Sequence, residues 1–240
     1  MTRTNPIYDK DTDHTSLWRL CFILLFYFLL HFYYFSKQKQ HHTNYIKSTL
    51  TSLQGRKRAF CLVRPPGHHV GRHGRTDGCC SHGFCLLNNV AIGVSHARVK
   101  WGLQRVAIVD FDVHFGNGTC EIFENDHDVF FSSVHLASRS NFPFFASDLS
   151  NATLIDQSNC CVAITRRSGE FRKTFRDIVL PKLKAFDPEL VLVSAGFDGH
   201  RDDPLGGDLG LHEDDYTWLT SQITSVCDDP SSSCHGRICR

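Results

Sequence analysis

Four apolar runs, each closing on a polar cluster, constrain this chain more than any other feature. They lie in "AFCLV" (59 to 63), "RVAIVDF" (105 to 111), "DVFFSSVHL" (128 to 136) and "ELVLVSAGFD" (189 to 198), each read as a strand with an apolar stretch that does not alternate; "CCVAI" (160 to 164) reads as a further strand. A strand that is apolar on both sides must be covered on both sides, which points to a parallel sheet between helical layers. Helical patterns lie between the runs. "NNVAIGVSHARVKWG" (88 to 102) has Asn88 or Asn89 as cap and Gly102 as stop. "GEFRKTFRDIV" places Phe171, Phe175, Ile178 and Val179 on one face, and Pro181 then breaks or restarts the helix. "EDDYTWLTSQITSV" (213 to 226) has Trp218, Leu219, Ile223 and Val226 as its inner side. The expected fold is α/β, a three-layer parallel sheet with helices on both faces.

In such sheets ligands bind beyond the carboxyl ends of the strands. The polar clusters fall there: "RPPGHH" after "AFCLV", "DFDVH" after "RVAIV", "SVH" after "DVFF", and "GFDGH" after "VLVSA". Each alone is compatible with a loop; their convergence points to a site. Asp112 and His114 form a D-x-H, which alone fits a solvated turn but on extended chain directs both side chains to one side. Gly116 and Gly118 are expected to let the backbone turn sharply beneath them. Asp198 ends another strand and supplies a second carboxylate. One imidazole and two carboxylates leave a position open, as catalytic zinc requires, although iron(II) or cobalt suits the same donors. His68 and His69 follow "RPPG" and offer a base of near-neutral pKa. Asp110 and Asn117 are available to fix their tautomers, and Asp110 could also serve a second cation. The other pair, His41-His42, reads as a surface pair in a linker.

Composition sets the frame. The 240 residues suffice for one sizeable domain, and a net charge of +1 with no long basic block gives no indication of direct nucleic-acid binding. The eleven cysteines show no C-x-x-C spacing, so they read as reduced thiols of a cytosolic or nuclear protein and not as a zinc knuckle. The organisation reads as a polar segment (1 to 16), an apolar segment (17 to 35), a polar linker (36 to 57) and a catalytic-type domain (58 to 240). "LWRLCFILLFYFLLHFYYF" (17 to 35) approaches the ~20 residues that span a bilayer. A membrane span, a buried helix and a stretch foreign to the domain are the three readings, and the first would attach the chain to a membrane with its bulk on the cytoplasmic side.

Five stretches, "RPPGHH", "GFCLLNNVAI", "VAIVDFDVHFGNGT", "SSVHL" and "ELVLVSAGFDGHRDDPLGG", stand in the order found in the zinc-dependent histone deacetylases. The chain resembles that family over roughly Arg58 to Thr220, closer to its class II branch. The resemblance implies an arginase/deacetylase-like fold and hydrolysis of acetyl-lysine in histones or other proteins. Zinc would sit on Asp112, His114 and Asp198, with His69 as general base and His68 beside it. Asp110 and Asn117 would be the partners of His68 and His69. Gly83 and Phe84 would contact the substrate, Phe84 as a tunnel wall. A structural potassium ion would take Asp110, Asp112, His114, Ser133 and Val134. Partners would be acetylated proteins and co-repressor-type proteins, in nucleus or cytoplasm.

The chain departs from the family pattern in three places. Phe115 replaces the histidine usual after the zinc histidine, which predicts a changed pocket edge and an intact metal shell. The loop expected to give the wall opposite Phe84 reads "NFPFFASDLSNAT", offering Phe142, Phe144 and Phe145 but no glycine. The family's transition-state tyrosine lies beyond a further strand, and "SSSCHGRICR" stands where that strand would begin; Tyr216 matches a helix tyrosine instead. On this reading the domain is truncated at both ends. Two alternatives to a protein deacetylase follow: a deacetylase of acetylpolyamines or other small amides, and a non-catalytic acetyl-lysine-binding protein. An arginase-like two-metal site is disfavoured, because the places for its extra carboxylates hold Gly116 and His200.

Overall fold

A computed structural model describes residues 58 to 138, 140 to 144, 154 to 155, 159 to 165, 168 to 204, 209 to 234 and 238 to 239. They belong to the second of two compact units, His42–Arg240. The apolar segment and linker lie outside the described residues. Among those described, no helix is long and apolar enough to cross a membrane.

The strands are β1 (Arg58–Ala59), β2 (Val70–Gly71), β3 (Gly74–Arg75), β4 (Val106–Asp110), β5 (Val129–Leu136), β6 (Leu154–Ile155), β7 (Asn159–Ile164), β8 (Leu190–Ser194) and β9 (Ile238–Cys239). Seven form one sheet in the order β1-β9-β8-β4-β5-β7-β6, and β2 pairs with β3 in a small hairpin. All pairings in the large sheet are parallel except β6 with β7. The central strand β4 is buried throughout, as its unbroken apolar run requires. Alternate residues serve opposite faces. Ala107 and Val109 join one cluster with Phe171, Phe175, Leu183, Leu219 and Ile223. Val106 and Ile108 join the other with Ala91, Val94, Ala97 and Phe123.

The covering helices are α1 (Asn89–Trp101), α2 (Asn117–Phe123), α3 (Ser168–Thr174), α4 (Leu180–Phe186) and α5 (Glu213–Asp228). Asn88 is the cap of α1, its side chain accepting from the Ala91 N–H, and Gly102 ends the helix in the left-handed region. Between α3 and α4 the chain does not break at Pro181. A wider π turn over Phe175–Val179 joins the two helices, and Pro181 sits in the first turn of α4, where its missing N–H costs least.

One expectation is corrected. The run at 59 to 63 is not a five-residue strand: among the described residues β1 is Arg58–Ala59, paired with Ile238–Cys239. Beyond it Phe60 and Leu62 are exposed. The further strand expected to begin in the closing segment is β9, which lies between β1 and β8.

Candidate active site

In the three central strands, Ser194, Asp110 and Ser133 form the last paired row, so Asp110 marks the carboxyl edge of the sheet. The backbone bends just past that edge and brings Asp112 and His114 together. His114 Nδ1 lies 2.8 Å from Asp112 Oδ1 and 2.9 Å from Asp198 Oδ2, the latter carried by the loop after β8. The loops are tied together: the Val113 N–H donates to Asp198 Oδ1 at 3.1 Å and the His114 N–H to Asp112 Oδ1 at 2.8 Å. One ring nitrogen and two carboxylate oxygens thus converge within 4.8 Å of one another, the one such group of metal-ligating side chains among the described residues. Burial would lower the His114 pKa, but the hydrogen bonds and charges of Asp112 and Asp198 outweigh it and raise it to about 10. A field that draws a proton so strongly favours a cation at the same point, and this donor set suits a divalent metal.

The two histidines stand beside it, both buried, with ring centroids 4.0 Å apart. His68 Nδ1 is 2.8 Å from Asp110 Oδ2, and His69 Nδ1 is 2.6 Å from Asn117 Oδ1. These different partners split a like pair. Burial alone would lower the His68 pKa, but the Asp110 and Asp112 carboxylates raise it to about 9. Burial, with the charge of His68 added, pushes His69 down to about 3. At neutral pH one ring is a cation in an ion pair and the other is neutral, a division of labour seen where two titratable groups take different roles.

The sequence profile of the histone deacetylase domain matches residues 34 to 235. The chain belongs to the histone deacetylase family. Type-2 histone deacetylase 2 of Dictyostelium discoideum is 42% identical over 195 residues, which make 78% of this chain and 11% of that protein. Polyamine deacetylase HDAC10 of Rattus norvegicus is 41% identical over 152 residues, 60% of this chain and 25% of that protein. Among solved structures, the HDA15 HD domain superposes with a TM-score of 0.67 at 31% identity, covering 82% of this chain and 53% of that one. This histone deacetylase family member therefore has the α/β arginase/deacetylase-like fold, and it spans only part of the length of these relatives.

The remaining expected residues take the following places. Gly83 packs on His69 and Phe142, so closely that an added Cβ would stand 2.8 Å from His69 Cγ and from Phe142 Cε1. Its carbonyl accepts from Cys85 Sγ at 3.4 Å. Phe84 is 87% exposed and sits at φ 61°, a left-handed conformation unusual for an aromatic residue. Of the three phenylalanines offered for the opposite wall, Phe142 meets the His69 ring edge to face at 4.5 Å, and Phe144 packs on Phe142; Phe145 lies outside the described residues. For the potassium ion the structure adds no support. Asp110 uses one oxygen on His68 and the other on the Asp112 N–H, Ser133 Oγ faces His135 Nδ1 at 3.1 Å, and Val134 is buried in the core.

Two local expectations are corrected. Phe115 does not edge the pocket. It is buried in the α1-side core, its ring 4.7 Å from that of His135, because the bend after His114 turns the next side chain inward. Gly116 and Gly118, expected to let the backbone turn sharply, stand at the cap and inside the first turn of α2, neither with positive φ. They permit close approach: a Cβ on Gly116 would stand 2.5 Å from Asp110 Oδ2, and one on Gly118 would strike the backbone of His69 and Val70. Residue patterns did not single out Gly196, Thr76 or Cys79. Gly196 lies against Asp112, and a Cβ there would stand 2.5 Å from Asp112 Cγ. Thr76 and Cys79 lie behind Asn117. "SAGFD" offered a signal for Gly196 in its small residue next to a ligand; "RTDGCC" offered none.

Proposed function

We propose that this domain hydrolyses the side-chain amide of acetylated lysine in histones or other proteins, using zinc at Asp112, His114 and Asp198. The observation that carries this reading is the juxtaposition of that three-donor set with a buried histidine, His69, whose Nδ1 is 2.6 Å from Asn117 Oδ1. When bound, zinc supplies Lewis-acid polarisation of the acyl oxygen. His69 accepts a proton from the attacking water at Nε2 and returns it to the leaving amine. The water oxygen bonds to the acyl carbon, the C–N bond breaks, and acetate and free lysine result. The charged His68, held by Asp110 and 3.8 Å from Asp112 through Nε2, keeps positive potential beside the developing negative charge. Phe84, exposed and held in an unusual conformation, and Phe142, packed on the base, would border the substrate's apolar stem.

The test is turnover by the purified chain supplied with zinc, on an acetyl-lysine peptide. His69→Ala should cost on the order of 10²- to 10⁴-fold in rate, and Asp112→Ala should abolish both zinc binding and turnover. Zinc affinity untouched by Asp112→Ala would refute the assignment. A second reading, an acetylated polyamine substrate, is favoured by the 41% identity to the rat polyamine deacetylase. Preference for N-acetylated polyamine over peptide in direct competition would select it.

A further inference from the structure

The loop that carries His68 and His69 is tied down through its backbone carbonyls. Asn89 Nδ2 donates to the Pro65 carbonyl at 3.0 Å, the Thr119 N–H to that of His68 at 3.0 Å, and Asn88 Nδ2 to that of Val70 at 2.9 Å. Pro65 and His68 precede His69 and Val70 follows it, so the Asn88 bond closes the loop on the far side. Asn88 has a second duty. Its Oδ1 accepts from the Ala91 N–H at 3.1 Å and so caps α1. These two contacts fix which way the amide faces, because a backbone N–H can only donate and a backbone carbonyl can only accept. Nδ2 also donates to Thr119 Oγ1 at 3.1 Å. Asn88, Val70 and Thr119 are all buried, so water could not readily replace a lost donor. One side chain thus joins the start of α1, the carbonyl just past His69, and the first turn of α2, where Asn117, the partner of His69, also stands.

We infer that Asn88 is a positioning residue for the deacetylation base: by holding the Val70 carbonyl and the Thr119 hydroxyl it fixes the backbone at His69, and so the place of that ring relative to Asp112, His114 and Asp198. The inference rests on the deacetylase reading with His69 as the base. Asn88 acts through the backbone and not on the reacting atoms, and it acts through position alone, whatever proton the ring carries. A backbone that slips by about 1 Å carries the ring with it, and a misplacement of that size costs roughly 10²-fold in rate.

The experiment separates the two duties of Asn88 in the zinc-loaded 240-residue chain. Asn88→Ala removes cap and tie together. Asn88→Ser keeps a hydroxyl oxygen for the Ala91 N–H but is too short to hold the Val70 carbonyl as well. The readouts are thermal melting, kcat and KM on an acetyl-lysine peptide, and amide hydrogen exchange at Val70 and Thr119, whose N–H groups donate to the carbonyls of Gly67 and His68. Asn88→Ser should recover the melting temperature that Asn88→Ala loses, and it should not recover kcat. Both variants should lower kcat about ten- to a hundredfold with KM and zinc affinity close to wild type. Both should speed exchange at Val70 and Thr119 about tenfold or more, while Val94 inside α1 keeps its protection in Asn88→Ser. If Asn88→Ser does not fold, Asn88→Asp, which keeps the cap oxygen and has no donor for Val70, takes its place. Wild-type kcat in the serine variant, or in the aspartate variant where that is used, overturns the inference, and so does unchanged exchange at Val70 and Thr119. Full turnover by His69→Ala would overturn the assignment of the base, and with it the role given to Asn88. A wild-type chain without turnover would overturn the deacetylase reading, while the exchange rates still decide whether Asn88 holds the histidine loop.

Discussion

Gly196→Ala is the sharpest single perturbation of the metal centre, because it adds one methyl group beside a proposed ligand and changes no charge. The backbone of Gly196 lies outside the left-handed region, so alanine brings no conformational strain of its own. Its Cβ would stand 2.5 Å from Asp112 Cγ and closer still to Oδ2, against 3.4 Å for the start of ordinary contact. Asp112 or the loop after β8 must therefore give by at least about 0.9 Å, the shortfall at Cγ, and by more at Oδ2. Asp112 cannot retreat freely, since its Oδ1 already accepts from the His114 N–H and lies 2.8 Å from His114 Nδ1. A metal shell tolerates roughly 0.5 Å, so the displacement is at least about twice what the site can absorb. Overpacking of this kind costs about 1 to 3 kcal/mol. If that cost falls on the metal-bound geometry, affinity drops by about one to two orders of magnitude at ~1.4 kcal/mol per decade. The assay is competition for Zn²⁺ against a fluorescent chelator, with thermal melting in parallel. Zinc affinity and melting temperature both equal to wild type would refute the reasoning, since the loop would then have moved at no cost.

Other substitutions test other levels of the structure. Phe175→Ala removes a fully buried ring packed 4.8 Å from Phe171 and should cost about 3 to 5 kcal/mol in denaturant unfolding. Phe84→Ala should leave the melting temperature close to wild type, because the ring is 87% exposed, while raising KM for an acetyl-lysine peptide; an unchanged KM would remove Phe84 from the substrate path. Asp187 accepts from the Ser233 hydroxyl and N–H and pairs with Arg105, tying the turn before β9 to the start of β4. Those bonds hold its carboxyl below the usual range, Ser233 contributing first. A depressed pKa means stabilisation that is present above the ordinary carboxylate range and lost as pH falls through it. Asp187→Asn should therefore cost about 0.2 to 1 kcal/mol at pH 7, modest because the pair is half exposed, and the difference from wild type should shrink in acid. A difference that grows on acidification would contradict the assignment.

Much of the fold could be read from hydrophobic pattern alone, and the reason is physical. An unbroken apolar run such as 105 to 109 has no solvent-compatible side, so it demands cover on both faces, and β4 lies there with every residue buried. The cap and stop of α1 were likewise local chemistry, an asparagine oxygen for an N–H and a glycine for a left-handed residue. Where a local signal competed with pairing, pattern failed. "AFCLV" has a strand's composition, but among the described residues Ala59 alone of the run pairs with a partner strand. Pro181, read as breaking or restarting the helix, stands in the first turn of α4 after a wider turn over Phe175–Val179.

The sequence by itself determined which donor types cluster at the carboxyl ends of the strands: Asp112, His114, Asp198, and His68 and His69 with Asp110 and Asn117. That much follows from where apolar runs stop. Only the tertiary structure decided how those donors meet. Asp112 and Asp198 are 86 positions apart and reach the same histidine nitrogen because β4 and β8 are adjacent and in register. It also decided that Phe115 turns into the core and that Gly196 yields space to Asp112. Thr76 and Cys79 stand behind the partner of His69 for the same kind of reason. Contacts of this sort depend on which backbones approach each other across the chain, and no periodicity along it encodes them.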